Sequence, residues 1–390
     1  MQLNNSCNAY SSTDVIIVGG GLAGLSAALL LAQAQIKSIV IDRFAPFPGG
    51  RKLALNAHSV QIFQSLDVWS QLTSLSVPIH QIQVRVGEHF PKLRLRTSQP
   101  SSPPGHVIRI EHLAQALLDS CQRSDDITLL QDECIDLKTD QAFATLHLRS
   151  GKAIKGKLIL GADGENSVVR QLSHCQWHSH PYQQKALVFE AQLSKMRPHQ
   201  AIEWFIKEGT LAVLPLPEKR HAVIWTAPSG HEAFHFSKPE QIENWLTELT
   251  CAQLGECHLS TPAGQYPLAK SFSSDPFAAR VFLLGNAAHV LHPVAAQGFN
   301  LGLKNAKLLI DALMAQKNLN QDLGQTALLS RVALKTIDNF KSTLWGCDIL
   351  ASHASGQRWP EALKAGALLG LEYCPTAKRQ ITQWGTGETA

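Results

Sequence analysis

A glycine-rich segment close to the amino terminus constrains the fold of this chain more than any other feature. The apolar run 14–18 leads directly into Gly19-Gly20-Gly21-Leu22-Ala23-Gly24, which satisfies the pattern G-x-G-x-x-G. The stretch 25–35 is rich in Ala and Leu and predicts a helix, and 37–41 predicts a second strand that ends at Asp42. Strand, glycine turn, helix, strand and acid in this order are typical of a βαβ unit that binds a dinucleotide.

Each part of this unit has a physical role in holding a pyrophosphate. Gly19 permits the tight turn, Gly21 lets the backbone approach the phosphates, and Gly24 lets the helix pack closely on the strand. The helix N-terminus offers free N–H groups and a partial positive charge. Asp42 lies 18 residues after Gly24, where its carboxylate can accept hydrogen bonds from ribose hydroxyls. The motif alone does not separate FAD from NAD, and the competing interpretation is a glycine-rich turn of an ordinary α/β protein.

Two later segments repeat the arrangement of a short apolar strand that ends in a polar turn with glycine. One such strand precedes Gly161-Ala162-Asp163-Gly164. Another precedes Gly285-Asn286-Ala287-Ala288-His289, and this segment continues through Pro293 to Gln297-Gly298-Phe299-Asn300-Leu301-Gly302. Turns of this kind are expected where a ligand lies across the carboxyl ends of a parallel sheet.

The three motifs, in this order and spacing, resemble those of the class A flavoprotein monooxygenases, the family of para-hydroxybenzoate hydroxylase. The resemblance implies that the first motif holds the ADP half of FAD. It also implies that the second motif contributes to binding of the flavin and of the nicotinamide nucleotide. In the third motif, Asn286 would lie on the ribityl chain, and the helix N-terminus at 297–299 would face the pyrimidine edge of the flavin ring.

The run GNAAHVLHPVAAQGFNLGL is similar to the branch of this family that hydroxylates ubiquinone precursors, such as 2-polyprenyl-6-methoxyphenol. The segments 50–55, 203–215 and 266–269 fit the same branch. Two positions depart from the usual pattern. Asn286 stands where most members have Asp, and Ala296 stands where Gly is usual. An amide can still both donate to and accept from a ribityl hydroxyl.

The activity that this resemblance implies is hydroxylation of the aromatic ring of a polyprenylated phenol in ubiquinone biosynthesis. FAD would be the cofactor, NAD(P)H and O2 the cosubstrates, and a C4a-hydroperoxyflavin the oxygen donor. Two alternatives stay open. A class A hydroxylase of a soluble aromatic acid would need a fixed Arg for the carboxylate, and in 181–264 only Arg197 and Arg220 stand out, both at predicted turns. A non-catalytic flavin-binding scaffold of a quinone-biosynthesis complex is the other alternative.

The site residues follow from the motifs and the resemblance. The catalytic candidates are His289, Pro293, Gln297 and Gly298. The predicted cofactor-binding residues are Gly19, Gly21, Leu22, Ala23, Gly24, Asp42, Arg43, Arg51, Arg109, Asp163, Gly164, Gly285, Asn286, Ala296, Gln297, Gly298, Phe299 and Asn300. No catalytic base is evident in the sequence. Transfer of an electrophilic oxygen needs only an activated phenol.

Three of these residues carry a competing interpretation. The resemblance implies that Arg51 touches FAD, whereas a solvated loop arginine is the alternative. Arg109 is one residue out of register with the cofactor-contacting position of the family. His289 could relay a proton, because imidazole titrates near neutrality, or it could simply be a packed histidine. The cluster His174, His178 and His180 lacks metal-ligand spacing, so we interpret it as a surface loop and expect no metal.

Composition limits the remaining classes of function. Lys and Arg total 35 against 31 Asp and Glu, and this scattered excess does not predict nucleic-acid binding. The eight cysteines form no C-x-x-C pair, which favours a reducing, cytoplasmic location. The apolar stretch 15–32 contains three adjacent glycines and predicts a strand, turn and helix rather than a membrane span. Because the expected substrate is lipophilic, we expect at most peripheral contact with the inner face of the membrane, or a protein complex that presents the lipid.

The predicted fold is α/β, with a Rossmann-like FAD-binding domain over 1–78, 105–180 and 265–330. An antiparallel-sheet substrate domain over 79–104 and 181–264 interrupts it, because period-two patches separated by turns fill the second range. The last segment, 331–390, is predicted to be helical.

Overall fold

Strands outnumber helices in the computed structural model, which describes residues 11–45, 49–87, 93–95, 103–207, 209–250, 253–292 and 297–354. The strands within these ranges are β1 (Ser11–Val18), β2 (Ser38–Asp42), β3 (Lys52–Asn56), β4 (Ser76–Ile79), β5 (Gln81–Val86), β6 (Leu93–Leu95), β7 (Gly105–Arg109), β8 (Ile127–Gln131), β9 (Cys134–Thr139), β10 (Ala144–Leu148), β11 (Ala153–Gly161), β12 (Trp177–Leu193), β13 (Gln200–Ile206), β14 (Gly209–Pro215), β15 (Arg220–Pro228), β16 (Cys257–Leu259), β17 (Gly264–Ser273), β18 (Phe277–Ala278), β19 (Val281–Leu283) and β20 (His289–Val290). The α-helices are α1 (Leu22–Gln33), α2 (Ala57–Ser65), α3 (Trp69–Leu72), α4 (Ile110–Gln122), α5 (Val168–Leu172), α6 (Pro239–Leu249), α7 (Gln297–Asn318) and α8 (Thr326–Ala354).

The first sheet is the nucleotide-binding sheet that the sequence predicts. Its order is β18-β19-β11-β1-β2-β8, with β10 paired to β11 and β9 paired to β10. The central pairs β11–β1, β1–β2, β2–β8 and β11–β19 are parallel. Both faces of β1 are buried: Val15 and Ile17 pack with α1, while Ile16 packs with Leu146 of β10. Burial on both faces explains why this strand is a continuous apolar run.

The second sheet has the order β20-β17-β12-β15-β14-β13-β5-β6, with β16 paired to β12. Its pairs are antiparallel except β13–β5. One face packs against α6 in a core that contains Trp204, Trp225 and Leu246. Alternate residues of a strand point to opposite faces, so the residues between these core positions point away from α6.

A small third sheet, β3-β7-β4, connects the two larger ones. Its β7 residue Val107 lies in one apolar cluster with Ala201 and Ala222 of the second sheet. Ile108 of the same strand belongs to the core that contains α1 and β1. Helix α8 lies against α7 and also against β13 and β14. None of the helices among the described residues is both long enough and apolar enough to cross a membrane.

The α/β fold class is confirmed, and several element limits differ from those expected. Helix α1 begins at Leu22 rather than at residue 25. The stretch 57–75 forms separate short helices, because Asp67 adopts a φ of 56°, a left-handed conformation that ends α2. The histidine cluster is not a loop, since His178 and His180 lie in β12.

The sheets also bear on the expected division into domains. Residues 265–273 belong to β17, which pairs with β12 in the second sheet, although they were assigned to the FAD-binding range 265–330. The division into domains therefore stays a proposal. The helical carboxyl-terminal segment begins with α8 at Thr326, and the part of it over 355–390 lies outside the described residues.

Candidate active site

The first glycine motif has no room for side chains at two of its positions. Gly19 has a φ of 110°, and a Cβ there would lie 2.3 Å from the Ala162 carbonyl oxygen. A Cβ at Gly24 would lie 1.8 Å from the Gly19 carbonyl oxygen. Because these contacts are with backbone atoms, neither site can relax around a larger residue. The glycines thus hold β1, α1 and the turn after β11 in direct contact.

Gly21 is different, because the space beside it is open. Its φ is −74°, and a Cβ at this position would meet no described protein atom within 4 Å. The same holds for Gly164 of the second motif and Gly298 of the third. Glycine is not needed at Gly21 or Gly298 to relieve a clash with the protein. Free space beside exposed backbone is what a bound pyrophosphate and flavin require, so these residues fit FAD.

Asp42 is fixed at the end of β2, next to the glycine turn. Its carboxylate accepts hydrogen bonds from the backbone N–H of Gly20 at 2.7 Å and of Phe44 at 2.6 Å. A carboxylate has about four acceptor sites, so two bonds leave capacity for ribose hydroxyls. The neighbouring Arg43 is exposed, with its Nε 4.0 Å from Glu133. The ribose contact of Asp42 and the cofactor contact of Arg43 stay predictions.

In the second motif, Asp163 is engaged within the protein. Its carboxylate accepts from Ser167 Oγ at 2.5 Å and from the N–H groups of Val168 and Val169 at 2.7 and 3.1 Å. These bonds satisfy free donors at the start of α5. Asp163 therefore holds the turn in shape, and Gly164, with a φ of 85°, leaves open space beside it.

Arg170 connects the second motif to the third. Its guanidinium donates to the carbonyl oxygens of Glu165 at 2.6 Å and Ala287 at 3.1 Å, and it stacks on the ring of Trp177 at 3.8 Å. The residue is only 5% exposed. The sequence shows Arg170 after the second motif but gives no sign of its contact with a turn more than a hundred residues later.

The third motif packs between the helices of the nucleotide-binding half. Gly285 has a φ of 55°, and a Cβ there would lie 2.8 Å from the Cβ of Ala23 in α1. A Cβ at Gly302 of α7 would lie 3.3 Å from the Gly285 Cα. Asn286 is exposed, so its amide is accessible to a ligand such as the ribityl chain. The structure thus brings the first and third motifs together.

Helix α7 begins at Gln297, which is buried, and runs for 22 residues. Asn300 anchors this start: its Oδ1 accepts from the N–H of Asn56 at 3.0 Å and from Ser59 Oγ at 2.7 Å, and its Nδ2 donates to the Ala54 oxygen at 2.9 Å. These bonds fix the helix start on the β3–α2 junction. The cofactor contacts of Gln297, Gly298, Phe299 and Asn300 stay predictions, and the candidates Pro293 and Ala296 lie outside the described residues.

A buried carboxylate surrounded by cations is the principal feature that the sequence interpretation missed. Glu190 of β12 is 2% exposed and pairs with Lys52, with Arg220 at 3.1 Å and with Arg109 at 3.4 Å. Arg109 also lies 3.6 Å from Glu111. The sequence contains a sign of this buried carboxylate, because Glu190 is the one charged residue within the apolar run 187–193.

This cluster changes the interpretation of the two candidate arginines. The guanidinium of Arg109 pairs with Glu190, and this ion pair competes with the predicted contact between Arg109 and the cofactor. That cofactor contact stays a prediction. Arg51 is exposed directly before β3, and its carbonyl oxygen accepts from the N–H of Ile110 at 3.0 Å. Its side chain is therefore accessible to a ligand in the way that the resemblance implies.

His289 lies away from solvent. It is 5% exposed, and its ring stacks on Phe340 with the centroids 5.6 Å apart. Burial lowers the pKa of His289 to about 4, and Nδ1 has no hydrogen-bond partner among the described residues. A neutral imidazole whose Nδ1 has no partner among the described residues favours the packed histidine over the proton relay. The nearby His292 does have a partner, since its Nε2 lies 3.1 Å from Gln184 Oε1.

Comparisons with known proteins agree with this arrangement. The family described as FAD binding domain matches residues 12–324. A ubiquinone hydroxylase of Rhodospirillum rubrum is 30% identical over 341 residues, which cover 85% of this chain and 80% of that protein. The 3-demethoxyubiquinol 3-hydroxylase of Escherichia coli is 27% identical, with 96% of this chain and 98% of that protein covered.

Solved structures show the same fold at lower identity. PqsL of Pseudomonas aeruginosa superposes with a TM-score of 0.77 at 18% identity, and the match covers 92% of this chain and all of that one. HpxO of Klebsiella pneumoniae, solved with FAD and uric acid, gives a TM-score of 0.74 at 16% identity, with 97% of each chain covered. With the glycine cradle, the anchored start of α7 and these relatives together, the chain belongs to the FAD-binding monooxygenase family, in the branch that contains the ubiquinone hydroxylases.

Proposed function

We propose that this chain hydroxylates the aromatic ring of a polyprenylated phenol in ubiquinone biosynthesis, with FAD as cofactor and NAD(P)H and O2 as cosubstrates. The observation that carries the proposal is the likeness to ubiquinone hydroxylases over almost the whole chain, including 98% of the Escherichia coli enzyme. The open space beside Gly21, Gly164 and Gly298 supports it, because all three motifs leave room for the same cofactor.

FAD, once bound and reduced by NAD(P)H, would supply the activated oxygen atom. The residues of this chain would bind and orient it. Gly21 and the N-terminus of α1 would hold the pyrophosphate, and Asp42 would hold the ribose. The N–H groups of Gln297 and Gly298 open a 22-residue helix, whose positive end would stabilise negative charge on the flavin. Asn286, exposed in the third motif, would donate to and accept from ribityl hydroxyls.

The second sheet provides an apolar wall that would exclude water from the substrate. Leu187 and Trp225 point into the α6 core, so Ala186, Val188 and Ile224 point to the opposite face. Glu190 on that face contacts Lys52 of the third sheet, which places the face toward the nucleotide-binding half. A dry site of this kind prevents loss of the activated oxygen to side reactions.

The two alternatives gain less support. Arg220, a candidate anchor for a soluble aromatic acid, already donates to Glu190 at 3.1 Å, so its charge is matched within the protein. No observation on the described residues favours a scaffold without turnover. Because the proposed substrate is lipophilic, we also propose peripheral contact with the inner face of the membrane or membership of a ubiquinone-biosynthesis complex.

The test is oxidation of NAD(P)H by the purified, FAD-loaded protein in the presence of a polyprenylated phenol. We expect the phenol to stimulate oxidation and to gain one oxygen atom from labelled O2, detected by mass spectrometry. Cells that lack the gene should accumulate a prenylated phenol short of one ring oxygen. Stimulation by soluble aromatic acids alone would favour the first alternative, and no stimulation by any phenol would favour the scaffold.

A further inference from the structure

An apolar cavity of about 340 Å³ lies between β17, the third motif and helix α8. Its walls include Phe272 of β17, Leu284 and Ala288 of the third motif, and Ile337 and Phe340 of α8. Volumes near 300 Å³ and above are typical of small-molecule sites. The cavity shares Gly285, Ala288 and His289 with the third motif, but none of the described residues that line it belongs to the first or second motif.

The walls are mainly apolar, and Lys341 at the rim carries the one ordinary charge among the described residues that line the cavity. His289 forms part of the wall, and burial holds its pKa near 4, so the imidazole is neutral at physiological pH. Its ring is covered by Phe340, which also packs on Phe272 with the centroids 5.2 Å apart. Apolar side chains form most of the wall, although Ser273, Ser274, Asn305 and Thr336 also line it. A charged ligand would therefore lose hydration without full compensation here. The walls therefore suit a purely hydrocarbon ligand.

The cavity opens along the outer side of α8. Leu334 lines it and is 62% exposed. Lys341, also exposed, lines the cavity about two helical turns further along the same face of α8. An exposed leucine at the entrance provides apolar surface for a hydrocarbon chain that continues out of the protein.

We infer that this cavity binds a segment of the isoprenoid chain of the substrate. The inference rests on the proposed function, which supplies a ligand that is uncharged, branched and longer than the cavity. In this inference, β17 and α8 bind the isoprenoid chain. The FAD-binding motifs and the apolar face of the second sheet would bind the cofactor and the aromatic ring. Leu284, Gly285 and Ala288 belong both to the third motif and to the cavity wall, so the chain would lie directly beside the flavin-binding turn.

The test compares two tryptophan substitutions on α8 in the full-length, FAD-loaded protein. Ile337→Trp adds an indole within the cavity wall, whereas Lys335→Trp adds the same group on the exposed side of the helix. The first readout is binding of farnesol, an isoprenoid without a phenol ring, by titration calorimetry. The second is KM for a phenol with a long prenyl chain and for the same phenol without it.

We expect Ile337→Trp to weaken farnesol binding by about tenfold or more, since loss of two buried methylene contacts corresponds to that factor. It should raise KM for the prenylated phenol and leave KM for the chainless phenol unchanged, whereas Lys335→Trp should alter neither. Thermal unfolding and flavin content would confirm that both variants fold.

Two results would overturn the inference. One is the absence of farnesol binding by the unmodified protein, which would mean that the cavity does not take an isoprenoid. The other is an equal rise of KM for both phenols in Ile337→Trp. Farnesol binding that depends on Ile337 in a protein that hydroxylates no phenol would uphold the isoprenoid site and remove the proposed function instead.

Discussion

Arg220 Nη1 at the start of β15 donates a hydrogen bond to Glu190 Oε2 of β12 at 3.1 Å, inside the interface between the second and third sheets. The other carboxylate oxygen of Glu190 faces Lys52 and Arg109 of the third sheet. One buried carboxylate thus matches cations from three strands. β3 follows the nucleotide-binding strands β1 and β2 in the chain, and β12 belongs to the second sheet. The Glu190 cluster therefore fixes how the third sheet packs against the second.

Glu190→Gln should destabilise the protein by about 3–5 kcal/mol, because it leaves the buried ammonium group of Lys52 without its counter-charge. A matched control is Glu133→Gln. That carboxylate pairs with Arg149 at 2.6 Å, but the two side chains are 35% and 70% exposed, so the loss should stay below about 1 kcal/mol. Urea unfolding of both variants measures the difference. Equal effects would mean that the cluster contributes no more than a surface ion pair.

Gly21→Val should give a folded protein without bound FAD. A side chain at Gly21 meets no described protein atom within 4 Å, so the added group would occupy only the space that the pyrophosphate needs. Gly24→Val should fail to fold, because its Cβ would lie 1.8 Å from the Gly19 oxygen. Flavin absorbance and thermal unfolding separate these effects.

The control for this pair is Gly230→Val, at another glycine with open space around it but far from the motifs. It should keep both the fold and the flavin. A Gly21→Val protein that purified yellow and fully loaded would contradict the assignment of the cradle.

Arg170→Lys should weaken FAD binding and lower stability by about 1–3 kcal/mol. Lysine has a single ammonium group, which cannot bond the Glu165 and Ala287 oxygens together and stack on Trp177 as the planar guanidinium does. The affinity should fall because Ala287 belongs to the third motif. Flavin fluorescence gives the dissociation constant, and Arg149→Lys at the exposed pair serves as the control. An unchanged constant would show that Arg170 stabilises only the local turn.

His289 should contribute to loss of stability in acid. Its pKa is lowered to about 4 in the folded protein by burial, against 6.5 for an ordinary histidine. As the pH falls below about 6.5, the unfolded chain takes up the proton first, so stability falls until the folded pKa is reached. The effect of this residue amounts to up to about 3 kcal/mol near pH 4 and vanishes above pH 7.

His289→Phe keeps an aromatic ring against Phe340 and removes the titrating group. The variant should lose less stability than the unmodified protein between pH 7 and pH 4.5, measured by urea unfolding at each pH. His106, whose pKa burial also lowers to about 4, remains in both proteins, so part of the acid sensitivity should persist. Parallel curves for the two proteins over this range would refute the role of His289.

Local sequence patterns determined the nucleotide-binding half of this protein. The apolar run that forms β1, the glycines at 19–24 and the helix that follows predict strand, turn and helix, because each signal acts within a few residues. Steric conflict enforces the same glycines in three dimensions, so Gly19 and Gly24 could be assigned before any contact was known.

Only the tertiary structure decided which distant residues meet. Glu190 and Lys52 are 138 residues apart, and Arg170 meets a carbonyl 117 residues later. No periodicity records such pairs, because they depend on how separate sheets pack. His289 was ambiguous for the same reason: its neighbours in sequence suggested a site near the flavin, whereas Phe340 of α8 determines that it is buried and neutral. The sequence pattern determined the glycine motif that is predicted to bind the cofactor. Packing between distant elements determined the Glu190 cluster and the cavity beside α8.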